Sequence, residues 1–138
     1  MKDLLTAITD KIKTGPSALY SDVGGRVYLD QAPEGTAFPY VVLFIVSGVP
    51  TDNFTDQIDD IIIQFSLFSE VRGVTEISTM YADLKTLFDN VSLTISGYNM
   101  AWMKRENLMT MTEDNPTVNA NTPIKHWAVD YRILLEKS

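Results

Sequence analysis

The run Tyr40-Val41-Val42-Leu43-Phe44-Ile45-Val46 is apolar at every position and the length of a strand. A strand with one wet face alternates polar and apolar residues; an uninterrupted run of β-branched and aromatic residues reads as a strand covered on both faces. Pro39 stands immediately before it. Proline cannot donate to a ladder, so it suits the first position of a strand or an edge. It also pushes Phe38 towards an extended conformation. The fold must therefore be layered around this strand.

The rest of the chain supplies the other elements. Leu4, Leu5, Ile8 and Ile12 recur at helical spacing, which predicts a helix over 2–13, ended by Gly15-Pro16. Residues 17–25 form a connector with a short helical turn around Ser17–Tyr20, and Gly24-Gly25 supplies the free backbone of a tight turn. A short strand follows at Arg26–Leu29, then a loop punctuated by Pro33 and Gly35, then the apolar strand at Pro39–Ser47. Gly48–Gln57 reads as a long turn. Ile58–Ser69 is a second long strand, with Ile61, Ile63, Phe65 and Leu67 on one face and Ile62, Gln64, Ser66 and Phe68 on the other. Val74, Ile77, Tyr81, Leu84 and Phe88 step as a helix closed by Asp89-Asn90. Val91–Ser96 alternates strictly and predicts a strand. Tyr98–Thr112 is extended but less regular, Glu113–Pro123 is a polar loop, and Trp127, Val129, Tyr131, Ile133 and Leu135 alternate as a last strand. The order is helix, three strands, helix, three strands. It predicts one α+β domain over 1–138: an antiparallel or mixed sheet with two helices packed on one face.

A chain of 138 residues, 45% hydrophobic and 21% charged, is long enough for one real core. The absence of cysteine excludes disulfides, thiolate metal sites and a cysteine nucleophile. No apolar stretch is long enough to span a membrane, and the amphipathic start after Lys2 and Asp3 does not read as a signal peptide. The net charge of −7 argues against general binding to a phosphate backbone. Most of that charge comes from 47–70, which holds Asp52, Asp56, Asp59, Asp60 and Glu70 and no lysine or arginine.

A search for chemistry finds little. His126 is the only histidine, and Asp130, on the same face of its strand, lies about 13 Å away at about 3.3 Å per residue. It reads as a surface or interface residue beside Trp127. Asp52, Asp56, Asp59 and Asp60 lack the spacing and the glycine of a calcium loop, and Asp59-Asp60 point to opposite faces of a strand. They read as solvated charges or an acidic assembly surface. There is no phosphate-cradling glycine loop, zinc motif or nucleophile elbow. Lys104-Arg105 is too small a basic group to mark a nucleic-acid site, and Met100, Met103, Met109 and Met111 serve either core packing or an adaptable contact surface. No enzyme, cofactor or metal is expected; the profile is that of an interaction protein.

The block Gly25-Arg26-Val27-Tyr28, followed by Ala32-Pro33-Glu34-Gly35-Thr36-Ala37-Phe38-Pro39-Tyr40-Val41-Val42, resembles the tail-completion or tail-terminator proteins of long-tailed bacteriophages. The closing Lys125-His126-Trp127-Ala128-Val129-Asp130-Tyr131-Arg132-Ile133 follows the same layout, and 98–123 follows it least. The resemblance implies a virion protein, assembled in the host bacterial cytoplasm, that forms a homo-oligomeric ring, usually a hexamer, at the head-proximal end of the tail tube. Such a ring ends tube polymerisation and joins the tail to the head. Its implied partners are further copies of itself, the tail tube protein and a head-completion or neck protein, with DNA passing through but not specifically bound. The expected contact loops are 48–56 and 113–122, with Thr51, Asp52, Asn53, Phe54, Asp56, Asp114, Asn115, Thr117, Asn119 and Asn121 as candidate assembly residues. Asp52, Asp56, Asp59 and Asp60 form a candidate acidic lumen surface, whose charge would keep passing DNA from sticking. The rival readings are a stopper or tube-like subunit and a small ligand-binding domain.

Overall fold

The computed structural model describes residues 2–15, 18–50, 57–71, 73–113 and 123–137. Three helices, α1 (Lys2–Thr14), α2 (Leu19–Asp22) and α3 (Thr75–Phe88), accompany five strands: β1 (Val27–Leu29), β2 (Tyr40–Pro50), β3 (Ile58–Ser69), β4 (Tyr98–Glu113) and β5 (Ile124–Lys137). The strands form one mixed sheet in the order β1-β2-β3-β5-β4. Only β1 is parallel to its neighbour; β2, β3, β5 and β4 alternate in direction. This is the expected α+β architecture.

Register explains where the core forms. Val41, Leu67 and Trp127 lie level across β2, β3 and β5, as do Leu43, Phe65 and Val129, and Ile45, Ile63 and Tyr131. Side chains two residues apart share a face, so these residues make one apolar surface. Both long helices pack on it. Leu4, Ile8 and Ile12 of α1 and Ile77, Met80, Leu84, Leu87 and Phe88 of α3 are buried in one cluster with the odd-numbered residues 61–67 of β3 and 129–135 of β5, Trp127 packing alongside. Phe65 stacks on Phe88 at 5.0 Å and meets the edge of Tyr131 at 5.6 Å. The Tyr131 hydroxyl donates to Asp89 Oδ1 at 2.6 Å, so the largest buried side chain keeps its polar atom satisfied. Burial, then that hydrogen bond, pushes the tyrosine pKa well up.

Two expectations need correction. Val91–Ser96 is not a strand: its only bridge joins Ile95 to Tyr98 across the turn at Gly97. Ile95 is nonetheless buried, and Val91 and Leu93 pack against the core. The alternation therefore reports inward packing. The place beside β5 is taken by β4, which runs unbroken from Tyr98 to Glu113 with register shifts at Ala101 and Glu106. The cover predicted on both faces of β2 holds for Val41, Val42 and Leu43 and stops there; Val46 is 51% exposed. β2 also runs on to Pro50, through the first residues of the expected turn.

The small helix α2 packs against α3. Burial, then a hydrogen bond with Asp83, then the charges of Asp83 and Glu76 push the Asp22 pKa from 3.8 up to about 7. The Asp22 Oδ2 atom is buried with no partner. Two carboxyl groups can share a hydrogen bond only while one is protonated. The folded state thus holds a proton that the unfolded chain has released above the ordinary carboxylate pKa. Stability from this contact is full below about pH 4 and is lost as pH rises through about 7. In Asp22→Asn this part of the pH dependence is expected to disappear, as read from urea midpoints across that range. In the core, Phe65→Ala is expected to cost about 3–5 kcal/mol in a denaturant titration.

Candidate functional site

The face of the sheet turned away from the helices is built by the other set of side chains. Level rows across β2, β3, β5 and β4 are Tyr40–Phe68–His126–Met111, Val42–Ser66–Ala128–Met109 and Phe44–Gln64–Asp130–Asn107; beyond a bulge in β2 come Ser47–Ile62–Arg132–Lys104 and Val49–Asp60–Leu134–Trp102. No helix among the described residues covers this face. Val42, Ser66 and Ala128 are buried all the same, beneath their larger neighbours.

At one end, the segment between β1 and β2 folds back over the sheet. Gly24 and Gly25, at φ 58° and 77°, make the turn into β1, a backbone region that side chains rarely adopt. Arg26 then reaches across: Nε donates to the Pro39 carbonyl at 3.0 Å and Nη2 to the Phe38 carbonyl at 3.3 Å. The Phe38–Pro39 peptide is cis. Held this way, Phe38 lies 5.2 Å from Tyr40, Tyr40 stacks on Phe68 at 4.7 Å, and Phe68 stacks on His126 at 4.2 Å. His126 Nδ1 is 3.0 Å from Oε1 of Glu113, which stands on β4 two residues beyond Met111. Burial, then the Glu113 charge, raises the Tyr40 pKa. Between Asp30–Ala32 and this row lies a half-open hollow of about 350 Å³, floored by Val42, Phe44 and Ser66.

The other end is polar. Arg132 holds Asp60 with two parallel bonds, one from Nε at 2.8 Å, and its Nη1 is 3.9 Å from Glu106. The guanidinium keeps the Asp60 carboxyl below its usual range. Lys104 and Arg132 both stand over the Trp102 ring, at 4.9 and 5.7 Å. Gln64 donates to Asp130 at 2.9 Å between the two ends.

The predicted residues distribute unevenly over this surface. Thr51, Asp52, Asn53, Phe54, Asp56, Asp114, Asn115, Thr117, Asn119 and Asn121 lie outside the described residues. Asp59 and Asp60 are in β3, and Asp60 is spent on Arg132 rather than standing as a lone negative charge. His126 pairs with Glu113, not with Asp130. Lys104 and Arg105 part company: Lys104 goes to Trp102, while Arg105 donates to the Tyr81 hydroxyl at 3.0 Å and lies 3.5 Å from Asp89. Met103 is core, and Met109 is 52% exposed. Arg26 and Glu113 were not singled out from the sequence. Arg26 was hidden because its acceptors are backbone carbonyls thirteen and twelve residues away.

The surface has stacked rings, ion pairs and two half-open hollows, one beside the aromatic row and one between Ser47, Ile62 and Arg132. It is suited to contact. That is the character of an assembly subunit. The family model of the tail completion protein gp17 matches residues 7–136, and the chain belongs to that family. It is a structural protein of a phage tail. No curated protein matches it. Among solved structures, a chain in the virion of a native gene transfer agent particle has the same fold. The TM-score is 0.79 at 17% identity, over 98% of this chain and 96% of that one.

Because Arg26 holds two carbonyls from a half-buried position, Arg26→Ala is expected to cost about 1–2 kcal/mol. It is also expected to expose the 30–39 segment to limited proteolysis while leaving the far-ultraviolet circular dichroism unchanged.

Proposed function

We propose that this protein forms a closed homo-oligomeric ring, a hexamer, at the head-proximal end of a tail tube, where it ends tube polymerisation and joins the tail to the head. Membership of the tail completion family across residues 7–136 carries this reading. The helices among the described residues lie on one face of the sheet, which supports it, since the other face is left for neighbours. Subunits in such a ring meet head to tail, through two different surfaces that close by rotation. The partners are further copies of the chain, the tail tube protein and a head-completion or neck protein. The contact segments are 48–56 and 113–122, which begin in the last residues of β2 and β4, and Asp52, Asp56 and Asp59 border the channel through which DNA passes; Asp60 takes no part, its charge being matched by Arg132.

Light scattering behind a sizing column, alone and with tail tube protein added, tests this. The expected result is a mass that stops at one closed ring and tubes that stop growing when the protein is present. Stacking of this protein into tubes of unlimited length would instead make it a tube-like subunit. A strict monomer that leaves tube growth untouched would overturn the reading.

A further inference from the structure

Among the described residues the sheet has two open edges, and they are not alike. β1 pairs only with Val41, Val42 and Leu43 of β2, so among the described residues no strand lies beside Phe44–Pro50. This stretch carries no charge, and Val46 and Val49 are 51% and 54% exposed. An uncharged apolar edge with unpaired backbone groups is a template for another strand, and proteins that stay single guard against it. Here the guards are a single bulge at Val46 and Pro50 at the far end, with no charge beside them.

The opposite edge is β4. Its first half is guarded: register shifts interrupt it at Ala101 and Glu106, and Lys104, Arg105 and Glu106 are exposed there. Bulges and charges of this kind blunt an edge. Its second half, Asn107–Glu113, keeps unbroken register with β5 and has no charge before Glu113. It presents Met109, 52% exposed, between Leu108 and Thr110. The two less guarded stretches, 44–50 and 107–113, are of equal length.

Resting on the ring reading above, we propose that Phe44–Val49 of one subunit pairs in antiparallel fashion with Asn107–Thr112 of the next, so that the sheets join edge to edge around the ring. Strand direction supports this occupant. β2, β3, β5 and β4 alternate, so the two free edges run opposite ways, and a second copy in the same orientation continues the alternation without a break. The offset fits as well. Within one sheet Phe44 lies level with Asn107, and Val49 with Trp102. Antiparallel pairing of 44–49 with 107–112 therefore slides each sheet along its neighbour. Closing strands into a ring requires such a stagger together with tilted strands.

The chain has no cysteine, so introduced pairs report without background. The double variants Val46→Cys/Met109→Cys and Val46→Cys/Thr110→Cys, oxidised in the assembled state, are expected to give a ladder of covalent oligomers ending at the ring. Val46→Lys/Val49→Lys, at two exposed positions, is expected to keep the wild-type melting temperature and to lower the assembled mass to that of the monomer. A ring that survives both lysines and gives no ladder overturns the edge pairing and leaves the ring reading intact. Disulfide dimers from Met109→Cys alone, with no ladder from the pairs, overturn it in favour of a two-fold β4–β4 contact. Wild-type protein that stays monomeric with tube protein present overturns both.

Discussion

Phe65 occupies the point where every layer of this molecule meets. It projects from the central strand β3, lies level with Leu43 on one side and Val129 on the other, and packs its ring against Phe88 of α3 and Tyr131 of β5. The Tyr131 hydroxyl carries the contact onward to Asp89, just past the end of α3, and Asp89 meets Arg105 of β4. Apolar burial and one satisfied polar chain thus tie the middle of the sheet, its long edge and the second helix together. With this face set, the even-numbered side chains of β3 and β5 are committed to the other face.

That second face meets a constraint the first does not. Among the described residues no third long helix lies across it, and the return from β1 to β2 covers one end. The covered end is organised by Arg26, whose guanidinium takes two carbonyls at the Phe38–Pro39 junction and brings Phe38 to the start of the aromatic row. The uncovered end meets water through Arg132, Asp60, Glu106 and Lys104, which are paired with one another or set over Trp102. Rings that are stacked and charges that are matched make a stable solvated surface. They also make one that a neighbouring subunit can cover without stranding a lone charge.

Much of this was legible along the chain. The alternation of 61–67 and of 127–135 named the buried face, and the helical spacing of Leu4, Ile8 and Ile12 and of Ile77, Leu84 and Phe88 named its cover. These readings succeed because burial repeats with the geometry of the element itself. The reading of Val91–Ser96 as a strand failed for a related reason: alternate burial does not supply a partner, and β3 and β4 hold the two places beside β5. The contact loops named from the sequence rest on polarity alone, a property that says where water is and not what else will bind there.

The sequence by itself determined the α+β class, the helix-covered face and the absence of cysteine chemistry, since these follow from composition and local periodicity. The block from Gly25 to Val42 also carried the likeness that the family match bears out. Only the tertiary structure decided that Arg26 braces Phe38 and Pro39, that His126 turns to Glu113, that Arg132 neutralises Asp60, and that half of β2 and half of β4 are left as open edges. Those outcomes depend on register between strands distant in the chain. A single slip of one residue would exchange the two faces, and no local pattern records which alignment the whole core will select.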